Sequence, residues 1–257
     1  MFFWNKKKSD TTNQVTQTQP IQSAGITLNL SKEESLLQLD LRKKELSDFC
    51  LGVNELNGLR SRVALVLDYS GSMERLYKNG TVQSVIERIM PIASQFDDNA
   101  ELDLWIFESG FVRLGSINLN NFYGYVNQEI LPKYRMGGTK YSYVMKDVYK
   151  KYIQEDESTL PNYVIFITDG DNFDKSETTS FMSDVARHPI FWQFVGIGGA
   201  YFDYLERLDD LRGRYIDNAD FFQLNDVNKV SDKELYKRLL TEYPHWIKEA
   251  RKKGMIK

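Results

Sequence analysis

The chain has 257 residues, of which 42% are hydrophobic and 13% aromatic, and this composition excludes a wholly disordered protein. Its formal net charge of -3 argues against nucleic-acid binding, which requires an excess of Lys and Arg. The single cysteine, Cys50, cannot form a disulfide within the chain, as is typical of a reducing compartment. No apolar run reaches the roughly 18–20 residues of a membrane span, so we expect a cytoplasmic protein.

The first sixty residues predict two segments that precede the main fold. Residues 1–22 are rich in Thr, Gln and Ser, which favours a disordered leader. Their apolar start is followed by lysines and lacks the core of a signal peptide, and membrane contact is the less favoured interpretation. Residues 23–60 predict an extension made of one strand, Ile26–Leu30, and one helix. Ser31 and Glu34 have capping-box spacing and open that helix, which carries several leucines: Leu36, Leu37, Leu39, Leu41 and Leu46.

Residues 61–257 predict the main domain, because apolar runs alternate there with amphipathic segments. The predicted strands are Val63–Leu67, Leu102–Phe107, Phe111–Leu114, Tyr163–Ile167, Ile190–Ile197 and a short one near Tyr215. The predicted helices are Thr81–Phe96, Asn121–Leu131, Tyr141–Ile153, a segment ending at Arg187, Phe202–Leu211 and Ser231–Lys252. Such alternation predicts an α/β fold with a doubly wound, mostly parallel sheet, in which Phe111–Leu114 pairs as a hairpin.

Oxygen-bearing side chains follow two of the predicted buried strands, at the edge of the sheet where open α/β folds bind ligands. Asp68-Tyr69-Ser70-Gly71-Ser72 follows the first strand, and Asp169 follows the strand Tyr163–Ile167. Side chains at alternate positions point to one side of an extended segment, so the oxygens of Asp68, Ser70 and Ser72 can converge. Thr139 follows two glycines that let the backbone pass close to this edge.

This set of donors predicts a metal site. Two carboxylates and three hydroxyls, without a nearby His or Cys, suit Mg²⁺, with Mn²⁺ or Ca²⁺ as alternatives, better than zinc. Five donors leave at least one position of an octahedral shell open. The sequence therefore predicts a divalent cation that remains able to bind a carboxylate from outside the chain.

The pattern Asp68-x-Ser70-x-Ser72, Thr139 and Thr168-Asp169-Gly170 resembles the metal-ion-dependent adhesion site (MIDAS) of von Willebrand factor A (vWA) domains. Other stretches are similar to the bacterial TerF-like vWA family associated with tellurium resistance. They are Val63–Met73, Ile167–Lys175, Phe194–Gly198, Asp217–Ala219, Tyr243–Trp246 and Glu249-Ala250. With the strand before Ser31, the resemblance covers about residues 25–257.

The resemblance implies a Rossmann-like sheet between helices and a module without catalytic activity. It implies that Ser70, Ser72 and Thr139 contact the metal directly, and that Asp68 and Asp169 do so directly or through water. It further implies that an acidic group of a partner protein completes the metal shell. The family's association suggests tellurite or chemical-stress resistance, with other proteins of that system as partners.

Two alternatives remain open from the residues. A metal-dependent hydrolase, phosphatase-like, would use the same ion as a Lewis acid, but Ser70 stands where such a phosphatase needs a second Asp as general acid. A purely structural interaction domain would leave the site empty. Asp169-x-Asp171-x-x-Asp174 lacks the terminal Glu of a calcium loop, and we expect Asp174 to cap the following helix. For His188 and His245 we expect packing or surface positions.

Overall fold

The computed structural model describes residues 30–156 and 158–257. The strands are β1 (Arg62–Asp68), β2 (Asp103–Phe107), β3 (Phe111–Arg113), β4 (Asn162–Thr168), β5 (Ile190–Ile197) and β6 (Ala219–Leu224). The helices are α1 (Lys32–Leu51), α2 (Glu74–Lys78), α3 (Thr81–Phe96), α4 (Ser142–Tyr149), α5 (Lys175–Val185), α6 (Asp203–Asp209), α7 (Asp232–Leu239) and α8 (Tyr243–Lys252). None of the helices in these two ranges is both long enough and apolar enough to cross a bilayer.

The six strands form one sheet in the order β3-β2-β1-β4-β5-β6. Every neighbouring pair is parallel except β2 and β3, which form the predicted antiparallel hairpin. The chain builds one half outward from β1 and then returns to build the other half from β4. The order therefore reverses between β1 and β4, which is where doubly wound sheets open a crevice for ligands. The predicted mostly parallel, doubly wound α/β fold is confirmed.

The sheet is buried on both faces because helices cover each side. Val63, Leu65 and Leu67 of β1 pack on the face covered by α1, α3, α7 and α8. Ala64 and Val66 point to the opposite face, which α4, α5 and α6 cover. Burying a Val or Leu side chain completely contributes about 1.5–3 kcal/mol, so this central strand is held firmly from both sides. Its last residue, Asp68, is consequently placed with little freedom.

Helix α1 begins with the capping box predicted from the sequence. The Ser31 N–H donates to Glu34 Oε2 at 2.8 Å, and the Glu34 N–H donates to Ser31 Oγ at 3.2 Å. Leu39 and Leu46 are buried in the same core as β1, whereas Leu37 is exposed. The predicted leader 1–22 and most of the predicted strand Ile26–Leu30 lie outside the described residues.

Two predictions near the carboxyl terminus are wrong. The strand expected near Tyr215 lies instead at Ala219–Leu224, because that is the segment that pairs with β5. The Tyr215 ring is 38% exposed and contacts the cations of Arg187 and Lys253, with 4.6 and 4.4 Å to the ring centroid. The single helix expected over 231–252 is two helices, α7 and α8. Pro244 stands at the start of α8, and its missing N–H and fixed ring prevent one continuous helix.

The predicted helices in the middle of the chain are also shorter than expected. The segment Asn121–Leu131 contains a π-helical stretch at Val126–Ile130, and the helix expected over 141–153 changes from α4 to a π-helical stretch at Lys150–Glu155. By contrast, α3 has the predicted bounds, because its apolar stripe runs uninterrupted from end to end.

Candidate metal centre

The carboxyl ends of β1 and β4 place two acidic side chains next to each other. Leu67 of β1 pairs in register with Ile167 of β4, so Asp68, the last residue of β1, lies near Asp169, the first residue after β4. We call the edge where β1, β4 and β5 end the carboxyl edge. Neighbouring strands are about 4.8 Å apart, which is a separation that one cation can bridge.

Asp68 is completely buried and is held by hydrogen bonds to both of its oxygens. Its Oδ1 accepts from the Ser70 N–H at 2.7 Å, and its Oδ2 accepts from Thr168 Oγ1 at 2.6 Å. Thr168 is in turn contacted by the buried hydroxyl of Tyr141, whose oxygen lies 3.1 Å from Thr168 Oγ1 and within hydrogen-bond distance of the Gly170 carbonyl. This series of bonds fixes the orientation of the Asp68 carboxylate.

The two serines join Asp68 to Asp169. A short 3₁₀ turn at Gly71–Met73 curls the chain after Ser70, and Ser72 Oγ donates to Asp169 Oδ1 at 2.8 Å. The Ser70 and Ser72 hydroxyl oxygens lie 3.0 Å apart. Since Ser72 has one proton and gives it to Asp169, Ser70 donates in that pair. Four of the five predicted site residues are therefore brought together by direct hydrogen bonds.

Thr139, the fifth predicted residue, reaches the same place through its backbone. Gly137 forms a parallel bridge with Ser70, and its carbonyl accepts from the Gly71 N–H at 3.1 Å. Two residues later, the Thr139 carbonyl accepts from the Phe173 N–H at 3.0 Å. Within the described ranges, the Thr139 hydroxyl makes none of the hydrogen bonds that join the other four. The loop that carries Thr139 is therefore joined to the cluster through its backbone.

Burial makes the two carboxylates unusually basic. Burial raises the pKa of Asp68 to about 6, although hydrogen bonds from Ser70 and Thr168 act in the opposite direction. Burial also raises the pKa of Asp169, and the hydrogen bond from Ser72 partly offsets this. In the described part of the chain, no Lys or Arg forms an ion pair with either carboxylate. Two acids are thus gathered with hydroxyls and without a neutralising cation from the protein.

This donor set fits a hard divalent cation. Among the residues with described positions, no group of three or more His, Cys, Asp or Glu side chains could hold a metal, so a zinc-type site is not indicated. The cluster has two carboxylates, and its other oxygens are hydroxyls, which are ligands of Mg²⁺ and Mn²⁺. A divalent ion would supply the positive charge that the pair of acids lacks.

Asp174 has the expected N-cap position of α5, but its side chain has a different partner. Its carboxylate makes no capping bond to α5. Instead it accepts from the Tyr141 N–H at 3.0 Å and the Ser142 N–H at 2.8 Å, at the start of α4. Burial alone would raise the pKa of Asp174, but these hydrogen bonds bring it below its usual value. Asp174 thus ties the loop that follows Asp169 to the loop that carries Thr139.

Sequence reasoning placed Thr168 in the motif without a function and gave none to Tyr141 or Glu108. The Glu108 carboxylate accepts from the Ser109 N–H and from the Gly110 N–H, the latter at 3.0 Å, and it lies against Gly137. Thr168, Tyr141 and Glu108 therefore support the predicted ligands and the loops that carry them. Thr168 and Tyr141 are 27 residues apart and Thr168 and Asp68 are 100 apart, so no local spacing signals their contacts.

Comparisons with known proteins show the family of the chain. The chain matches the family model vWA-TerF-like, described as "vWA found in TerF C terminus", over residues 60–256. It is 45% identical over 222 residues to the uncharacterized protein YcbR of Bacillus subtilis (strain 168), and the match covers 85% of this chain and 90% of that protein.

Solved structures show the same fold at low identity. A von Willebrand factor type A structure from Catenulispora acidiphila is 12% identical with a TM-score of 0.50, covering 74% of this chain and 42% of that one. Proximal thread matrix protein 1 from the mussel byssus, with a zinc-occupied MIDAS motif, is 14% identical with a TM-score of 0.50, covering 71% and 46%. This chain spans less than half the length of either structure.

Proposed function

The chain belongs to the vWA-TerF-like family, and from that premise we propose that it is a non-enzymatic interaction module. In this proposal Asp68, Ser70, Ser72, Thr139 and Asp169 hold a divalent cation, Mg²⁺ in the first instance. A carboxylate of a partner protein completes the shell of that cation. The observation that carries the proposal is the convergence of two carboxylates and two hydroxyls at the switch point of the sheet, where no Lys or Arg from residues 30–156 or 158–257 forms an ion pair with them.

The five residues would contribute two kinds of ligand to the ion. Asp68 and Asp169 supply the negative charge, whereas Ser70, Ser72 and Thr139 supply neutral oxygens. Two negative charges balance a divalent cation, so the bound ion remains attractive to one further anionic group. When bound, it supplies a Lewis-acidic position for that group. Thr168 and Tyr141 keep the Asp68 carboxylate oriented, which is the support that metal ligands usually require from their neighbours.

A binding function is favoured over hydrolysis by the chemistry of the residues at the strand ends. Ser70 takes the position where a phosphatase of the alternative type needs its general acid, and its hydroxyl is already donated to Ser72. His188 contacts the Tyr149 hydroxyl at 3.1 Å, away from the carboxyl edge. The place of this module in tellurite or chemical-stress resistance, and of related resistance proteins as partners in the cytoplasm, rests on the family's association alone.

The test is a titration of Mg²⁺ and Mn²⁺ into chelator-treated protein, followed by thermal unfolding and calorimetry. At a metal concentration 100 times Kd, binding to the folded state alone adds about 2.7 kcal/mol, or roughly 5–10 °C in Tm for a domain of this size. Asp68→Ala abolishes that gain. The matched control is Asp171→Ala, which removes a nearby acid that pairs with Lys175 instead.

Equal stabilisation of the wild type and Asp68→Ala by either metal contradicts the proposed site. Asp68→Ala could lose metal binding through a folding defect, and a Ser72→Ala variant controls for this. Ser72 is exposed, and its replacement leaves Asp68 with both of its hydrogen bonds. Phosphatase and nuclease activity that depends on Mg²⁺ and is lost in Asp68→Ala would establish the hydrolase alternative in its place.

A further inference from the structure

Two aromatic side chains at the carboxyl edge are unusually exposed. Phe173 is 80% exposed and Tyr201 is 88% exposed, more than any other large apolar side chain in the described ranges. Phe173 follows β4 and Tyr201 follows β5, so both lie on loops at the edge that holds the candidate metal centre. Neither ring contributes to either core cluster. Folding therefore does not explain why these positions are aromatic.

Phe173 is held beside the Thr139 donor by its backbone. Its N–H donates to the Thr139 carbonyl at 3.0 Å, and the next residue, Asp174, is bonded to the start of α4. The ring lies over Gly138, where an added Cβ would be 3.6 Å from the ring edge. The loop is thus fixed while the ring itself faces solvent, adjacent to a predicted metal ligand.

Tyr201 is anchored on the other side of Asp169. Its neighbour Phe202 is buried and packs directly against Gly196, leaving no room for a side chain there. Gly196 pairs in register with Thr168, the residue before Asp169. Gln223 Nε2 also donates to the Gly198 carbonyl at 2.8 Å, which holds the loop that leads to Tyr201. The two aromatic residues therefore lie on loops that flank the candidate centre.

We propose that Phe173 and Tyr201 form a docking surface for a protein loop that presents a carboxylate next to a large apolar side chain. The inference rests on the proposed function, because the carboxylate binds through the cation held at the centre. The apolar side chain packs on the two rings. When no cation is present, the acidic centre repels a carboxylate. The two rings by themselves offer a partner nothing except an apolar contact. Binding therefore requires the cation and the rings together.

The two features have different consequences for recognition. The cation selects for a carboxylate of any source, whereas the rings select among carboxylates by what lies beside them. A buried aromatic contact is worth more than a rim contact of the same area, and aromatic residues are enriched among residues that dominate binding energy. A free amino acid or acetate satisfies the first feature and lacks the second.

The probes for the test are three cyclic hexapeptides with a shared Gly-Ser frame. One displays Asp-Phe, the second Asp-Gly and the third Asn-Phe, and each is titrated into the full chain by fluorescence anisotropy with saturating Mg²⁺ or with EDTA. We expect the Asp-Phe peptide to bind at least tenfold more tightly than Asp-Gly, and binding of Asp-Phe to be lost with Asn or with EDTA.

The matched variants separate the rings from the cation. In a Phe173→Ala, Tyr201→Ala double variant, the Asp-Phe and Asp-Gly peptides bind with Kd values within about twofold of each other, while the Mg²⁺ affinity is unchanged. Both side chains are exposed, so the double variant retains the fold. Leu37→Ala removes a similarly exposed apolar side chain on α1 and keeps the tenfold preference.

The other possible results of the peptide titrations contradict either the docking surface or carboxylate capture. Equal binding of Asp-Phe and Asp-Gly to the wild type overturns the docking surface and leaves the proposed function intact. Binding of Asn-Phe as tightly as Asp-Phe, or binding that persists in EDTA, also overturns it, because the rings then act without the cation. If Mg²⁺ stabilises the protein but neither Asp peptide binds, carboxylate capture itself is wrong, and the docking surface with it.

Discussion

Acidic side chains have different kinds of partner at the two ends of β1. At its beginning, which we call the amino edge, Asp97, Asp103 and Asp156 surround a cavity of about 170 Å³ and are paired with Arg62 and Lys151. At the carboxyl edge, the donors that the described residues offer to Asp68 and Asp169 are hydroxyls and a backbone N–H.

The difference shows how to distinguish structural from functional acids in one sheet. A carboxylate with a fixed Arg or Lys has its charge compensated within the fold, so nothing further is needed. A buried carboxylate without one keeps an unfavourable charge that an external cation can relieve. The number of acids is similar at the two edges, and what differs is the partner that the chain provides.

The most direct test of the difference between the two edges removes one acid from each. We expect Asp169→Ala to weaken Mg²⁺ binding by more than about 100-fold, since a ligand and a charge are lost together, whereas Asp156→Ala changes it by less than about twofold. Calorimetric titration of both variants measures the difference. Similar losses of affinity in the two would mean that the two edges are not distinct.

The second test removes one hydroxyl from a carboxylate at each edge. Thr168→Val deletes the donor to Asp68 Oδ2, and Tyr152→Phe deletes the donor to Asp103 Oδ2 at 2.7 Å. Loss of an orienting bond to a metal ligand typically costs 10–100-fold in metal affinity, so we expect that range for Thr168→Val. Unchanged Mg²⁺ affinity is expected for Tyr152→Phe, and a titration that ranks the two the other way contradicts the assignment.

A third test concerns stability at the amino edge. Arg62 pairs with Asp97 at 3.8 Å and with Asp98 at 3.2 Å, and Asp97 is only 5% exposed. Arg62→Met leaves that acid without its cation, and we expect a loss of about 1–2 kcal/mol in the free energy of unfolding. Urea denaturation measures the loss. The Tm gain on adding Mg²⁺ should equal that of the wild type, and a smaller gain would connect the two edges energetically.

The effect expected to be smallest at neutral pH is a pH dependence that comes from Asp97. Burial raises its pKa to about 6, although the Asn99 N–H and Arg62 act in the opposite direction. The folded state therefore holds this proton more tightly than the unfolded chain, whose Asp pKa is about 3.9. The stability that this proton confers is present below about pH 4 and is lost as the pH rises through about 6.

Asp97→Asn removes this dependence, because the amide does not titrate and can still accept from the Asn99 N–H. Relative to the variant, the wild type should lose about 2 kcal/mol of unfolding free energy between about pH 4 and pH 6, with the remaining loss complete by about pH 7. Urea titrations at several pH values measure it. A difference that is flat, or that rises with pH, would contradict the raised pKa.

The local parts of the candidate site were predictable from the sequence. Asp68, Ser70 and Ser72 lie within five residues after an apolar run, and both the strand and the position of its end follow from that pattern. Asp169 could be added because it follows the predicted strand Tyr163–Ile167, and Thr139 because two glycines precede it beside the same edge; the resemblance to vWA domains then grouped all five. The fold class followed from the alternation of apolar strands and amphipathic helices, and α3 and β5 have the predicted bounds.

The contacts that support the site were not predictable, because they join residues far apart in the chain. The bond from Thr168 to Asp68 spans 100 residues, and Asp174 caps α4 across 32 residues instead of its own helix. Local spacing correctly identified Asp174 as a capping residue and chose the wrong helix. Tyr215 has high strand propensity, but the segment that pairs with β5 begins four residues later, at Ala219, and a partner strand so far back in the chain gives no local signal.

Gly137 has a consequence for the evolution of related chains. Its backbone bridges Ser70, and a Cβ at this position would overlap the carboxylate of Glu108, which is itself held by its own turn. A side chain at position 137 therefore requires either that the Glu108 carboxylate leave its turn, with loss of its bonds to the Ser109 and Gly110 N–H groups, or that position 108 become smaller. Among relatives that keep this loop, we expect the two positions to covary, so that a non-glycine residue at 137 is accompanied by a short residue at 108.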